Sequence, residues 1–185
     1  MGADYAFRTV WRVPGTVLEV ATVLADAAAL PRWWPSVHLA VDVLHTPDRE
    51  TGLGAVARLH TTGWLPYTLT WTLELTSPIT ADGFTLTAVG DLEGAGVWTF
   101  RQDGPEVEIG YDWQVRAGKP LLRRMSWLLR PAFEANHHWA MRRGEQSLVL
   151  ELRRRRGSVG VPAPPAATFP RLSALSSRKG ASTAA

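Results

Sequence analysis

The sequence predicts an α+β fold in which a curved, seven-stranded antiparallel sheet wraps around one long C-terminal helix. Seven segments alternate between apolar and polar residues with the period of two that is typical of half-buried strands. Six of these segments follow one another through short turns, which favours antiparallel pairing. A long helical segment follows the last strand and supplies a cover for the apolar face of the sheet.

The first strand is predicted over residues 5–13, and one of its faces carries Tyr5, Phe7, Thr9, Trp11 and Val13. Pro14 ends this strand and is tolerated in the first turn of a helix. From Thr16 onward, apolar residues recur at the spacing of an amphipathic helix. Pro31 and Pro35 then bracket Arg32-Trp33-Trp34, where a helix must end or break. Two short helices are therefore expected between the first and second strands.

The remaining six strands are separated by residues that favour turns. The polar segment 48–54, Ser77-Pro78 and Asp103-Gly104-Pro105 are such turns. The strands between them are predicted over residues 37–43, 55–61, 67–75, 83–88, 97–100 and 107–115.

The final segment, from Lys119 to Leu152, has helical composition, and Pro131 marks a kink or a restart within it. Downstream of this proline, a projection at 3.6 residues per turn predicts one face directed at the sheet. This face carries Phe133, Asn136, His137, Ala140, Met141, Gly144, Ser147 and Leu148. We expect His138 on the opposite, solvated side, and Gly144 to permit close approach between this helix and a strand.

The charge of the chain is unevenly distributed. The formal net charge is +3 and the isoelectric point is about 9.8. Residues 153–185 contain six Arg, one Lys and no acidic residue, so that removing this +7 leaves the first 152 residues at −4. This segment is also rich in Pro, Ala and Ser, a composition typical of disorder. We therefore expect a folded domain over residues 3–152, followed by a disordered basic tail at 153–185, and no nucleic-acid partner.

Composition also limits the chemistry of the chain. It contains no Cys, which excludes disulfides, thiolate catalysis and Cys-ligated metal sites. No apolar run approaches the ~20 residues of a membrane-spanning helix, and no signal-peptide pattern is visible. We expect a cytoplasmic protein without stable membrane insertion.

Several motifs occur in an order that resembles a known superfamily. They are Val13-Pro14 before the first helix, Leu30-Pro31-Arg32-Trp33-Trp34-Pro35, Leu65-Pro66-Tyr67, Gly90-Asp91-Leu92-Glu93-Gly94 and the helical stretch 136–144. Over about residues 5–152 the chain resembles the START/Bet v 1-like (SRPBCC) helix-grip superfamily, and within it the polyketide cyclase/dehydrase-like members. The resemblance implies the helix-grip fold and a cavity between sheet and long helix that holds a hydrophobic molecule. Because members include lipid carriers, hormone receptors and cyclases, the fold alone does not assign a function.

The resemblance and the predicted faces together give a set of candidate ligand-binding residues. A pocket lined in this way suits a mostly apolar ligand with one or two polar groups. The alternative is that these side chains fill a solid core, which periodicity cannot distinguish from a hollow one. The candidates are Tyr67, Leu69, Trp71, Trp98, Tyr111, Trp113, Phe133, Asn136, His137, Ala140 and Met141.

His137 is the best candidate for a catalytic residue, although the catalytic residues stay unassigned because no second catalytic group is identifiable. An imidazole in an apolar pocket can donate a hydrogen bond or exchange a proton with a ligand carbonyl, helped by Tyr67 or Tyr111. The alternative is a core histidine bonded to a strand hydroxyl, such as that of Tyr111 or Tyr67. We expect no cofactor and no metal, since His38 and His60 are predicted on the polar faces of their strands.

Three further features have two interpretations each. Trp33-Trp34 forms either a rim of the cavity or a plug of the helical corner, and the plug is favoured. Asp91 and Glu93 form either a carboxylate pair or, given the surrounding glycines, a solvated bulge. The arginines at 153–156 could contact phospholipid or nucleic acid, but they also suit the negative end of a helix dipole, and the second interpretation is favoured.

The leading functional hypothesis is the binding of a polyketide-, lipid- or isoprenoid-like small molecule, with or without its cyclisation and dehydration. The alternatives are a non-catalytic carrier or sensor of such a molecule and an interaction module with a filled core. The sequence leaves the ligand, the cavity size and the oligomeric state open.

Overall fold

The computed structural model describes residues 4–46, 48, 50–117 and 120–169. Strand β1 (Asp4–Pro14) leads into α1 (Val17–Leu24), a 3-10 turn (Ala27–Ala29) and α2 (Leu30–Trp33). Six strands and a helix follow: β2 (His38–His45), β3 (Val56–Thr62), β4 (Thr68–Leu75), β5 (Gly83–Gly90), β6 (Leu92–Asp103), β7 (Glu106–Ala117) and α3 (Pro120–Arg155). Helix α3 is continuous across Pro131.

The strands form one antiparallel sheet of seven strands in the order β1-β7-β6-β5-β4-β3-β2. Only β1 is out of sequence order, since it pairs with β7 along its full length, from Asp4 opposite Arg116 to Pro14 opposite Glu106. Helix α3 lies against the sheet, so the predicted α+β helix-grip arrangement is confirmed.

Local hydrogen bonds explain how the chain turns between β1 and α1. The hydroxyl of Thr16 accepts from the backbone N–H of Glu19 at 3.3 Å, and the Glu19 carboxylate accepts from the backbone N–H of Thr16 at 2.8 Å. This capping box satisfies two N–H groups that the first helical turn would otherwise leave without partners. Asp26 caps the following 3-10 turn by accepting from the backbone N–H of Ala29 at 3.2 Å. Residues 16–34, called here the helical corner, thus contain the side chains that cap α1 and the 3-10 turn.

The helical corner is anchored by two tryptophans. Trp33 is fully buried and Trp34 is 6% exposed, and their rings lie 5.4 Å apart. A Cβ at Gly144 would overlap the Trp34 indole, so this glycine admits an indole of the corner. The predicted close approach at Gly144 therefore occurs. Its partner, however, is Trp34 at the C-terminal cap of α2 and not a strand, as the sequence had predicted. The buried position of both rings agrees with the interpretation of the pair as a plug.

The end of α3 is fastened to this corner by a buried carboxylate. The Glu151 side chain is fully buried and accepts from Arg32 at 2.7 Å, Arg154 at 2.7 Å and Arg155 at 2.9 Å. Burial alone would raise the pKa of Glu151, but the hydrogen bonds from the three guanidinium groups bring that pKa below its ordinary value. Arg156 extends the network to α1, where it donates to Glu19 at 2.7 Å.

These contacts place the first part of the predicted tail within the fold. Helix α3 ends at Arg155, three residues beyond the predicted boundary at Leu152. Beyond Leu152, Arg154 and Arg155 pair with Glu151 of the same helix. Arg155 also lies 3.8 Å from Asp26, and Arg156 pairs with Glu19, which are distant partners that composition does not reveal. Residues 170–185 of the predicted disordered tail lie outside the described residues.

Candidate ligand-binding site

A cavity of about 240 Å³ lies between the concave face of the sheet and α3. Its walls include every residue of the predicted set: Tyr67, Leu69, Trp71, Trp98, Tyr111, Trp113, Phe133, Asn136, His137, Ala140 and Met141. Other lining residues, absent from that set, include Tyr5, Phe7, Trp34, His38, Leu59 and Thr61. The side chains on the inner face of the sheet therefore leave a hollow in the core.

Three aromatic side chains on β6 and β7 form one side of the cavity, called here the aromatic floor. The rings of Trp98 and Tyr111 stack at 4.0 Å and 18°, and Tyr111 stacks on Trp113 at 5.6 Å and 21°. Gly96 makes room for this stack, since a Cβ there would lie 2.8 Å from both the Tyr111 hydroxyl and the Trp113 ring. Because these rings cover one another's faces, they form one rigid, apolar part of the cavity wall.

A second group of aromatic side chains packs together at another part of the wall. It consists of Tyr5 on β1, Phe133 on α3 and Tyr67, which directly precedes β4. The Phe133 ring meets Tyr5 and Tyr67 edge to face, with centroids 6.1 Å away in each case. Burial raises the pKa of Tyr67 to about 12, and burial also raises the pKa of Tyr111 well above 10. These two lining phenols therefore stay protonated and neutral at physiological pH, which makes them hydrogen-bonding groups rather than bases.

His137 is held between two residues of β1. Its ring stacks on Phe7 with centroids 3.9 Å apart and 13° between planes, and its Nε2 lies 3.4 Å from the Thr9 hydroxyl. The hydroxyl next to His137 is thus a strand hydroxyl, as the alternative expected. Thr9 supplies it in place of Tyr67 or Tyr111, because α3 packs against β1. Burial, and then the neighbouring His138, lower the pKa of His137 to about 4. His138 is exposed, as predicted.

Asn136 connects the cavity wall to the loop between β3 and β4. Its side-chain oxygen accepts from the backbone N–H of Trp64 at 2.9 Å and of Leu65 at 3.4 Å. Gly63 is required beside it, since a Cβ there would overlap the amide. Asn136 was predicted as a polar residue at the edge of the pocket; it lines the cavity, and its oxygen holds this loop against α3.

His38 was predicted on the polar face of β2, and the structure places it in the cavity wall at 7% exposure. The register of β2 against β3 shifts between His38 and Ala40, so the alternation in the rest of β2 does not extend to His38. An irregularity of this kind leaves no signal in the apolar pattern, which is why the sequence assigned the wrong face. Burial lowers the pKa of His38 to about 3, so the imidazole is neutral.

The acidic residues near β6 do not face one another as a catalytic pair. The Asp91 carboxylate accepts from the backbone N–H of Thr70 at 2.8 Å, while Glu93 pairs with Arg116 at 2.8 Å. Each carboxylate thus has a structural partner of its own. Within the part of the chain that the structure describes, no three His, Asp or Glu side chains are grouped as metal ligands. No helix among the described residues is long and apolar enough to cross a bilayer.

Comparisons with known proteins find similarity in structure but not in sequence. No family model matches the chain, and no curated protein matches it. An aromatase/cyclase from a Streptomyces species superposes with a TM-score of 0.62 at 16% identity, covering 86% of this chain and 100% of that one. A protein from Thermus thermophilus gives 0.62 at 16% identity, covering 84% and 99%. A START superfamily protein from Mycobacterium smegmatis gives 0.56 at 14%, covering 74% and 93%. At the level of the fold, the predicted resemblance is confirmed.

Proposed function

We propose that this chain, a helix-grip protein by its fold, binds an uncharged and mostly apolar small molecule between its sheet and α3. The observation that carries the proposal is the cavity itself, about 240 Å³ in volume and walled mainly by aromatic and aliphatic side chains. Polar groups occur at few points in the wall, as is typical of sites that orient a hydrophobic ligand.

The volume limits the size of the ligand. An apolar cavity of roughly 150 Å³ accepts benzene. A cavity of about 240 Å³ is therefore suited to a molecule of about two fused rings, or to an isoprenoid or acyl chain of similar bulk. Trp98, Tyr111 and Trp113 give either kind of molecule a rigid apolar surface to pack against.

The charge of the wall limits the polarity of the ligand. Among the described residues that line the cavity there is no Asp, Glu, Lys or Arg, and the pKa of each lining histidine is lowered well below 6.5. An ionised ligand would lose its hydration without gaining an opposite charge, which is costly. Neutral hydroxyl and carbonyl groups are the polar groups that this wall can satisfy.

The state of His137 favours binding over catalysis. A general acid or base is most effective when its pKa lies near the working pH. With a pKa of about 4, His137 is protonated in only about one molecule in a thousand at pH 7, and its neutral form is a weak base. Its proposed role is to hydrogen-bond a ligand oxygen, with the Thr9 hydroxyl beside its Nε2 orienting the ring. A carrier or sensor is thus preferred, while the cavity gives no support to an interaction module with a filled core.

Cyclisation with loss of water is the second candidate, and it is favoured by the similarity to a structure described as an aromatase/cyclase. In that case His137, assisted by Tyr67, would transfer protons during ring closure and dehydration. Incubation with a poly-β-ketone thioester, followed by mass spectrometry, tests this candidate. A product lighter by one water, formed by the wild type and not by His137→Ala, would support it. Unchanged substrate with the wild type would contradict it.

Titration calorimetry with two matched probes tests the binding proposal. Both 2-naphthol and 2-naphthalenesulfonate have two fused rings, but only the second is charged at pH 7. We expect saturable binding of 2-naphthol and binding of the sulfonate that is weaker by at least about tenfold, owing to the desolvation of its charge. Absence of binding by 2-naphthol, or tighter binding of the sulfonate, would overturn the proposal.

A further inference from the structure

His38 is a buried residue of the cavity wall, and one of its ring nitrogens has no hydrogen-bond partner among the described residues. It lines the cavity at 7% exposure, and its Nδ1 is buried without a hydrogen-bond partner among the described residues. The indole nitrogen of Trp34, which also lines the cavity, is buried and unpartnered in the same way within the described part of the chain. Buried polar groups are almost always hydrogen-bonded in native proteins. Of the seven unpartnered buried side-chain atoms among the described residues, three belong to residues that line the cavity, namely Tyr5, Trp34 and His38, and the last two of these residues are neighbours.

The two side chains are adjacent. Their ring centroids lie 5.0 Å apart, with the planes at 70°. On the sheet, His38 lies directly opposite Thr61, whose hydroxyl accepts from the Trp71 indole at 3.2 Å and donates to the backbone carbonyl of Leu69 at 3.4 Å. This hydroxyl is bonded to those two groups, and neither the Nδ1 of His38 nor the Trp34 indole nitrogen has a hydrogen bond to it.

This region lies at a distance from the other polar part of the wall. Trp34 packs on Gly144 of α3, whereas His137, which contacts Thr9 of β1, lies seven residues earlier on the same helix. Seven residues of α-helix span about 10 Å. The two lining histidines therefore mark positions in the cavity wall that are separated by about two turns of α3.

We propose that His38 and Trp34 form a second polar subsite, which takes a hydroxyl or carbonyl oxygen at the end of the ligand opposite His137. A neutral imidazole has one donor and one acceptor nitrogen, and an indole N–H donates. A ligand hydroxyl can accept from one of these groups and donate to another, and a carbonyl can accept from either. The ligand is thus a compact apolar molecule with an uncharged oxygen function at each end. This inference rests on the proposed function, since both polar positions belong to the same cavity.

Three two-ring probes, measured by calorimetry, separate this inference from the proposed function. Naphthalene-2,6-diol has hydroxyls at opposite ends, 2-naphthol has one, and 2-methylnaphthalene has none. We expect the wild type to bind the diol more tightly than 2-naphthol. In His38→Phe, which keeps an aromatic ring of similar bulk, the affinity for the diol should fall about fivefold to tenfold, the usual effect of one hydrogen bond. The affinity for 2-methylnaphthalene should stay within about twofold.

Other changes in probe affinity would contradict the subsite or the proposed function. If His38→Phe weakens the diol and 2-methylnaphthalene equally, His38 is a packing residue and the subsite is refuted. If neither changes, the imidazole is satisfied by water alone, which also refutes it. If the wild type binds none of the three probes, the proposed function itself fails. Should His38→Phe not fold, ¹⁵N shifts of the five histidines in the wild type provide the test. We expect the diol, and not 2-methylnaphthalene, to move the imidazole resonances of two histidines; movement of only one would contradict the subsite.

Discussion

Acidification should destabilise this protein well above the pH at which its carboxylates titrate, because two histidines are buried in the neutral form. Burial lowers the pKa of His38 to about 3 and of His137 to about 4, from the ordinary value of 6.5. Between pH 6.5 and those values, the unfolded chain binds protons that the folded chain does not. The contribution of each neutral histidine to stability is complete above pH 6.5 and is lost as the pH falls toward the folded pKa.

The size of the effect follows from these pKa values. Each proton bound only by the unfolded state lowers the free energy of unfolding by about 1.4 kcal/mol per pH unit. From pH 7.5 to pH 5.0 this amounts to about 2 kcal/mol for each histidine, and to about 4 kcal/mol for both. Carboxylates such as Glu19, with a pKa lowered to about 2, lose their contribution only below about pH 4.5. The window between pH 5.0 and 7.5 therefore reports the histidines.

Urea unfolding monitored by fluorescence of the nine tryptophans, at intervals between pH 7.5 and 5.0, measures this slope. The variants His38→Phe and His137→Phe serve as matched controls, and each should remove about half of the loss seen in the wild type. A wild-type stability that is constant over this range would refute the buried neutral state of both residues. An unchanged slope in one variant would refute it for that residue alone.

Three structural predictions concern α3 and its end. Glu151→Gln should lower the free energy of unfolding by about 2 kcal/mol, since the amide cannot replace a carboxylate that accepts from three arginines. Glu134→Gln, which breaks an exposed pair on the same helix, is the control and should change stability far less in the same urea titration. Gly144→Val should cost about 1–3 kcal/mol, because its side chain overlaps a buried indole; an unchanged urea midpoint would contradict that contact. Deletion of residues 170–185 should leave the melting temperature unchanged, whereas deletion of 153–185 should lower it by removing the ion pairs at the end of α3. Equal melting temperatures for the two deletions, measured by differential scanning calorimetry, would be the contrary result.

Much of the fold could be predicted from the sequence, because the sheet is solvated on one face. Alternation along residues such as Tyr67 to Leu75 follows the pleat directly, and short turns fix antiparallel neighbours. The same rule failed at His38, where a shift of register at the start of β2 changed the face that the side chain occupies. Local periodicity contains no information about such an irregularity.

The candidate site could be predicted only in part, for a related reason. Inward faces on strands and on α3 identify residues that surround the centre of the molecule, and all of the predicted residues line the cavity. Whether the centre is hollow depends on how closely the sheet and the helix approach each other, which no single segment determines. The partners of His137 and Gly144 were misassigned because both lie more than 100 residues away along the chain, at Thr9 and Trp34.

If the hollow between the sheet and α3 is the binding site, a substitution that fills it must weaken binding. Ala140 lines the cavity, whereas Ala135 lies on the exposed side of the same helix. In calorimetric titrations with 2-naphthol, Ala140→Phe should weaken binding by at least about tenfold because its ring occupies the space of the ligand, and Ala135→Phe should bind like the wild type. Undiminished binding by a folded Ala140→Phe protein would place the ligand elsewhere and would contradict the claim.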